Sequence, residues 1–324
     1  MKQTDIYDPA DRLNFEECTL CPRDCHADRL SGGGGYCGTD AGLNISAICL
    51  HKGEEPSISG TNGICNIFFA GCNLQCIFCQ NHQISHNGLE SRNGLSDLNP
   101  VLDRIEEILS QGASSIGFVS PSHVVPQVKA IINGLKTRGL RPITVYNTNS
   151  YEKVETIRSL SGLIDVYLPD FKYVTPGIAS ALSDAVDYPA VALRALKEMY
   201  YQKGSVLRRD DNGIAENGMV IRHLVLPGHA EESKNVLRTV AEELSPGVHL
   251  SLMSQYHPVG RVKNHPVLNR SLYKEEYDSV VATMEELGFR NGWVQEMDSQ
   301  LNYRPDFSRN QPFEQDLNHN EFIY

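Results

Sequence analysis

Cysteine is missing from most of this chain. All nine cysteines of the 324 residues lie at or before Cys79. Thiols used only as small core side chains would scatter along the whole length, so confinement to the first quarter argues for ligation. Basic charge is also short. Against 40 Asp and Glu stand 29 Lys and Arg, a formal net charge of −11, which argues against broad binding to nucleic acid or anionic membrane. No apolar run nears the ~18 residues of a membrane span. The opening residues, Met1 to Pro9, are polar and acidic, without the apolar stretch of a secretory signal. The expectation is a cytoplasmic protein, in a compartment that keeps thiols reduced. An odd number of cysteines there fits poorly with a disulfide scaffold. No short repeat is present, so a solenoid is not expected. With 40% apolar and 21% charged residues, the chain reads as globular.

Residues 1–50 have little apolar periodicity and are rich in Cys and Gly, including Ser31-Gly32-Gly33-Gly34-Gly35. A small module held by ligands is the natural reading. From about residue 60 strand and helix signals alternate. Strands are expected at 64–70, 115–119, 142–146, 163–168, 220–226 and 248–253, with a short one at 292–295. Helices are expected between them at 99–109, 124–135, 151–160, 175–208 (one or two), 231–244 and 272–287. Such alternation means a parallel sheet with crossover helices, whose chemistry sits at the C-terminal strand ends. The division expected is a Cys-rich module at 1–58, an α/β core at 59–297 and an extended tail at 298–324.

Cys72, Cys76 and Cys79 follow the first core strand with the spacing CxxxCxxC. Three thiolates in one tight loop can hold three irons of a [4Fe–4S] cube and leave the fourth open to a small molecule. A structural zinc wants four ligands, which His82 or His86 can complete. The quartet Cys18, Cys21, Cys25 and Cys37 has a spacing that suits either zinc or a second cluster. Cys49 and Cys65 are left over and read as core thiols.

In this context CxxxCxxC resembles the hallmark of radical S-adenosylmethionine (SAM) enzymes, and the chain is most similar to pyruvate formate-lyase activating enzyme and its relatives. The likeness runs from about Cys18, where Cys18-Thr19-Leu20-Cys21-Pro22-Arg23 resembles the start of such relatives, to Gln295. Asn147-Thr148-Asn149-Ser150, Asp170-Phe171-Lys172, Leu226-Pro227-Gly228 and Gln255-Tyr256-His257-Pro258-Val259-Gly260 resemble the family's later motifs, each at an expected strand end. The resemblance implies a partial (β/α)6 TIM-like barrel with the Cys-rich module in front. It implies SAM bound at a [4Fe–4S] cluster on Cys72, Cys76 and Cys79, and cleaved by one electron to a 5′-deoxyadenosyl radical that takes hydrogen from a substrate. A reductant such as flavodoxin or ferredoxin would supply the electron, and the substrate would be a glycine of a partner protein, another peptide or a small molecule. Lys172, beside Asp170, would meet the SAM carboxylate. Asn147 and Asn149 would meet the ribose, His257 the ribose or adenine, and Phe78 the adenine. No catalytic residue beyond the cluster is assigned.

One stretch departs from the pattern. Where the family carries Gly-Gly-Glu-Pro, this chain reads Gly117-Phe118-Val119-Ser120-Pro121-Ser122-His123, which leaves Ser120 to replace the contact to the SAM amino group. Bland readings stand beside these. Asn147 to Ser150 is also ordinary helix-cap sequence, Asp170 and Lys172 can form a simple ion pair, and His123, His229 and His265 can be structural. Gly53-Glu54-Glu55-Pro56 reads as a turn, with a substrate-side role open beside that reading. A carrier or assembly protein holding iron–sulfur or zinc needs only the cysteines. The motifs on later strands favour an enzyme.

Overall fold

The computed structural model describes residues 6–88, 97–301, 304–309, 311–313 and 322–323. Helix α1 (Pro9–Glu16) precedes an irregular Cys-rich stretch, and then β1 (Ile45–His51), α2 (Pro56–Ser59), β2 (Ile64–Phe69), α3 (His82–Ser85) and α4 (Leu98–Ser110) follow. The chain continues through β3 (Ser115–Val119), α5 (Val125–Thr137), β4 (Ile143–Thr148), α6 (Val154–Ser159), β5 (Val166–Pro169), α7 (Pro176–Ser183) and α8 (Tyr188–Lys203). It ends through β6 (Arg208–Arg209), β7 (Ala215–Leu224), α9 (Ala230–Glu243), β8 (His249–Met253), α10 (Lys274–Glu286), β9 (Gly292–Gln295) and β10 (Phe322–Ile323).

The sheet has ten strands in the order β1-β2-β3-β4-β5-β7-β8-β9-β10, with β6 hairpinned onto β7. All neighbours from β2 to β9 along this path pair in parallel; β1 and β10 close the two edges antiparallel. Each expected core strand is present. The strand at Val220 starts earlier, at Ala215, because its first half pairs with β6 outside the main sheet. Strand β1 was not legible in sequence. It lies on an edge, its burial alternates poorly, and its register is broken by a bulge between Ile45 and Ala47.

The elements follow from burial pattern. Every residue of β2 is buried, as suits a strand covered on both faces. In α4, Val101, Leu102, Ile105 and Ile108 turn one stripe inward. The strands' outer faces and the helices form one large core, while Ile64, Val145, Val166, Val220 and Trp293 form a separate apolar layer with Ile58 and Leu207. The sheet is strongly curled. Glu54 Oε1 accepts from Asn66 Nδ2 of β2 at 3.0 Å and from Asn147 Nδ2 of β4 at 3.5 Å, while its Oε2 meets Arg222 Nη1 of β7 at 3.1 Å. In a flat sheet β2 and β7 would stand about 19 Å apart. Only a partial barrel lets one carboxylate reach both.

The tail from Met297 begins with a short 3-10 turn. Its described parts lie on the barrel. Phe307 and Phe313 pack on Phe68 with ring centroids 5.1 and 5.6 Å away, and β10 pairs with β9. The rest of the stretch expected to be extended, 302–303, 310, 314–321 and 324, lies outside the described residues. No helix among the described residues is long and apolar enough to cross a membrane.

Candidate functional site

The loop that leaves β2 carries all three triplet cysteines past the C-terminal end of a central parallel strand. Gly71 makes the first bend with φ +73°, a conformation glycine adopts without strain. Asn87 then clamps the loop: its Oδ1 accepts from Cys72 N at 3.1 Å and its Nδ2 donates to Cys72 O at 3.0 Å. Cys72 Sγ accepts from Leu74 N at 3.4 Å and from Asn149 Nδ2 at 3.5 Å. Ser183 Oγ donates to Cys76 Sγ at 3.0 Å, and Ser85 Oγ lies 3.2 Å from Cys79 Sγ. The three thiols sense one another electrostatically, and Lys172 acts on all three. Burial first, and the neighbouring sulfurs second, push the Cys72 thiol up to about 12 and raise Cys79. Left to themselves Cys72 and Cys79 stay protonated. A cationic centre is what would ionise them.

Behind the thiols an alternating chain of charges runs into the barrel. Lys172 Nζ donates to Asp170 Oδ2 at 2.7 Å, Arg222 Nε to Asp170 Oδ1 at 3.0 Å and Arg222 Nη1 to Glu54 Oε2 at 3.1 Å, with Glu55 Oε1 3.9 Å from the same Nη1. Burial opposes charge on each of these side chains. Pairing outweighs it for three of them, so Asp170 is held below the usual carboxylate range and Lys172 and Arg222 above theirs. Glu55 goes the other way: burial raises it despite Arg222. The chain borders a cavity of about 90 Å³ lined by His51, Glu54, Glu55, Asn147, Arg222 and Ser251, among others, with Phe313 and Pro305 of the tail at its side.

The expected cofactor residues separate into groups. Asn147 lines the cavity, and Asp170 and Lys172 link it to the thiols. Asn149 faces the other way, donating to Asn73 Oδ1 at 2.8 Å beside Cys72. Phe78 is buried in the outer core, its ring 6.4 Å from that of Tyr256. Ser120 ends β3 with φ +50° and donates its N–H to Asn147 O at 2.8 Å. This is the left-handed conformation that favours glycine, and the serine bears it where the sequence pattern expects a glycine-rich turn. His257 is half-buried; burial and the charge of Arg304 lower it. His123 has a structural place, with Nε2 2.9 Å from Ala70 O and its carbonyl accepting from Arg29 Nη1 at 2.8 Å.

The quartet sits in the N-terminal stretch, where Cys18, Cys21 and Cys37 are buried. Cys21 feels both Cys18 and Cys37, and burial pushes it up to about 12. Cys37 Sγ is 3.0 Å from Thr39 Oγ1. Among the described residues no three His, Cys, Asp or Glu side chains are gathered tightly enough for one metal ion. The single-zinc sets that spacing allowed, at the quartet or at the triplet with His82 or His86, are therefore not assembled here. Cys49 and Cys65 are fully buried on neighbouring strands β1 and β2, as core thiols.

Sequence reasoning missed Arg222 and His51 as site residues, and gave Glu54 and Glu55 only a turn with an undeveloped substrate-side role. Arg222 lies inside a strand with no motif around it. Glu54 and Glu55 look like turn residues until the curl of the sheet folds that turn into the barrel. Arg23 was also missed. Its guanidinium stacks on Tyr36 at 3.8 Å and its Nε donates to Asn73 O at 2.8 Å, which ties the quartet's stretch to the triplet loop.

No family model matches the chain. It is similar to an uncharacterized protein of Methanocaldococcus jannaschii, 28% identical over 275 residues that cover 84% of this chain and 75% of that protein. Among solved structures, it is similar to Streptococcus suis SuiB bound to S-adenosylmethionine, with a TM-score of 0.47, 14% identity and coverage of 70% of this chain and 48% of that one. The form of SuiB bound to the precursor peptide SuiA gives 0.45, 14%, 71% and 48%. A domain of pyruvate-formate lyase-activating enzyme from Bacteroides vulgatus gives 0.37, 13%, 53% and 93%. The chain spans about half the length of the SuiB structures it matches.

Proposed function

We propose that this protein is a radical SAM enzyme that holds a [4Fe–4S] cluster on Cys72, Cys76 and Cys79. The observation that carries the reading is the three-thiol loop at the mouth of a partial parallel barrel, with Lys172 in electrostatic reach of every thiol. The residues fit such a group. Three thiols can hold three irons and leave one for a small molecule, and the raised thiols of Cys72 and Cys79 are matched to a strongly cationic centre. A cluster held there by Cys72, Cys76 and Cys79 would supply the one-electron reduction that opens SAM at its S–C5′ bond to radical chemistry on a substrate.

The chain's own residues bind, orient and exclude water. Lys172 presents a buried cation to the SAM carboxylate, and Asp170 and Arg222 keep that cation in place. Asn147 offers an amide inside the cavity, and Ser120 a backbone carbonyl and a hydroxyl at the β3 turn. Phe313 and Pro305 shield the cavity from the side. The finer reading is an activating enzyme of the glycyl-radical type, working in the cytoplasm on a partner protein with flavodoxin or ferredoxin as reductant. A second cluster on Cys18, Cys21, Cys25 and Cys37 belongs to the same proposal.

The test is anaerobic reconstitution with iron and sulfide, reduction, and addition of SAM. Formation of 5′-deoxyadenosine by the wild type, and its loss in Cys76→Ala, is expected. A fully loaded cluster that leaves SAM intact would refute the enzyme and favour a carrier.

A further inference from the structure

The deep wall of the cavity holds more acid than base and more polar atoms than the protein itself satisfies. Three carboxylates, Glu54, Glu55 and Asp170, face two cations, Arg222 and Lys172. Arg222 spends its hydrogen bonds on Asp170 and Glu54 and stands 3.9 Å from Glu55. Glu55 Oε2, His51 Nδ1 and Ser251 Oγ have no hydrogen-bond partner. Their residues are only 3%, 6% and 1% exposed, and all three line the cavity. The Ser251 hydroxyl is near enough to favour the ionised form of Glu55 without lying in hydrogen-bond alignment. His51 adds no positive charge near neutrality, because burial and Arg222 hold it down to about 4. Each unpaired buried polar atom costs about 1–3 kcal/mol, and a buried carboxylate short of a cation costs more.

We infer that this wall receives a positively charged nitrogen of the substrate, a primary ammonium or a guanidinium, on Glu55, Ser251 Oγ and His51 Nδ1. An ammonium has three N–H donors, and the wall offers three unfilled acceptors, His51 accepting at Nδ1 with its proton on Nε2. One added cation also balances the three carboxylates. The ring of Phe313, 4.1 Å from that of His51, covers the site and keeps its dielectric low, which strengthens such a contact. In the ion-pair chain this wall lies at the end away from Lys172, while Glu54 beside it bonds Asn147. Lys172 serves the thiols, and Asp170 and Arg222 intervene before Glu55 is reached. Calling the occupant a substrate rests on the radical SAM reading; the affinity for a cation does not.

The experiment uses the full chain free of iron and SAM, titrated with n-propylammonium and guanidinium and with their neutral counterparts n-propanol and urea, by ligand-observed NMR. The cations are expected to bind at least tenfold more tightly than the neutral molecules. Glu55→Gln should lose at least tenfold in cation affinity. His51→Phe, which keeps the ring contact with Phe313, should lose severalfold and serves if Glu55→Gln does not fold. A Gly-Lys-Gly peptide binding more tightly than n-propylammonium would assign the ammonium to a side chain, and the reverse to a free amine. Equal binding of neutral and charged probes, or wild-type affinity in both variants, would overturn the inference. So would competitive displacement of the cation by SAM in the reconstituted protein, which would assign the wall to the cofactor. Failure of wild-type SAM cleavage refutes the proposed reaction and leaves these titrations unaffected, so the two failures are distinguishable.

Discussion

The two cysteine groups of this protein live in opposite electrical settings. The triplet stands at the mouth of the barrel beside a chain of partly buried side-chain charges, Lys172, Asp170, Arg222 and Glu54. The quartet's stretch is organised by arginines that bind backbone. Arg29, 1% exposed, donates to His123 O at 2.8 Å and to Asp40 O at 2.8 Å, and its Nη2 also reaches Thr39 Oγ1 at 3.0 Å. Arg23 does the same with Asn73 O. Behind the triplet lies an ion-paired carboxylate, Asp170, whereas beside the quartet Arg29 binds mainly carbonyl oxygens. A reactive centre needs the first kind of surroundings, because charge there can follow a ligand. A docking joint is better served by the second.

The largest expected effect tests which group is reactive. Replacing Cys72, Cys76 and Cys79 together by Ala should abolish SAM cleavage, at least a thousandfold by deoxyadenosine yield. Iron content should fall only to what the quartet holds, as read by metal analysis and absorption spectra. Next is the joint. Arg29→Ala takes the guanidinium from two carbonyls, His123 O and Asp40 O, and from the Thr39 hydroxyl, and should cost about 3–5 kcal/mol in chemical denaturation. Arg29→Lys should recover only part of that, since one ammonium cannot reach all three partners at once. Lys172→Met keeps the volume but removes the cation shared by the thiols and Asp170. We expect about a tenfold loss of SAM affinity by equilibrium titration, with the quartet's metal content unchanged.

The smallest effect concerns acid. Glu276 Oε1 and Oε2 accept from Arg270 at 2.7 and 2.8 Å, and the same carboxylate takes Gly228 N at 2.7 Å and Tyr273 N at 3.0 Å. It thereby clamps the Leu226-Pro227-Gly228 turn at the barrel mouth to α10. The Arg270 hydrogen bonds, against some burial, hold its carboxyl down to about 2. A depressed carboxyl stabilises the fold above the ordinary glutamate value and loses that contribution as pH falls toward 2. The wild type should therefore lose about 1 kcal/mol across this window, the screened worth of a partly exposed bridge. Glu276→Gln should show a flatter stability profile there. Hydrogen exchange should find the mouth loosening in acid before the joint at Arg29, whose carbonyl, hydroxyl and thiol partners gain no proton in this window.

How much of this was readable in sequence follows the same division. The parallel strands announced themselves because buried strands are continuous apolar runs, such as Ile64–Phe69, and the triplet because three cysteines lie within eight residues. Lys172 and Asn147 were singled out because they stand at or just past the ends of strands that share one mouth. Arg222 was not, since a lone arginine within a strand carries no local signal and its meaning comes from partners at positions 54, 55 and 170. Strand β1 was missed because an edge strand with a bulge lacks clean alternation. Asn149 and Phe78 had the right neighbours in sequence, yet side chains two positions from a strand end or between two ligands can turn to either side. Here Asn149 turns to Asn73, and Phe78 turns into the outer core.

Glu54 joins β2, β4 and β7 through a single carboxylate, and this makes it a tension member as well as a charge. Strands that are far apart along the sheet are drawn together by one headgroup, so the bore of the barrel and the electrostatics of its lumen are set by the same atoms. Anything that competes for Arg222 also slackens the hoop. Occupancy of the interior and the girth of the vessel are mechanically the same variable.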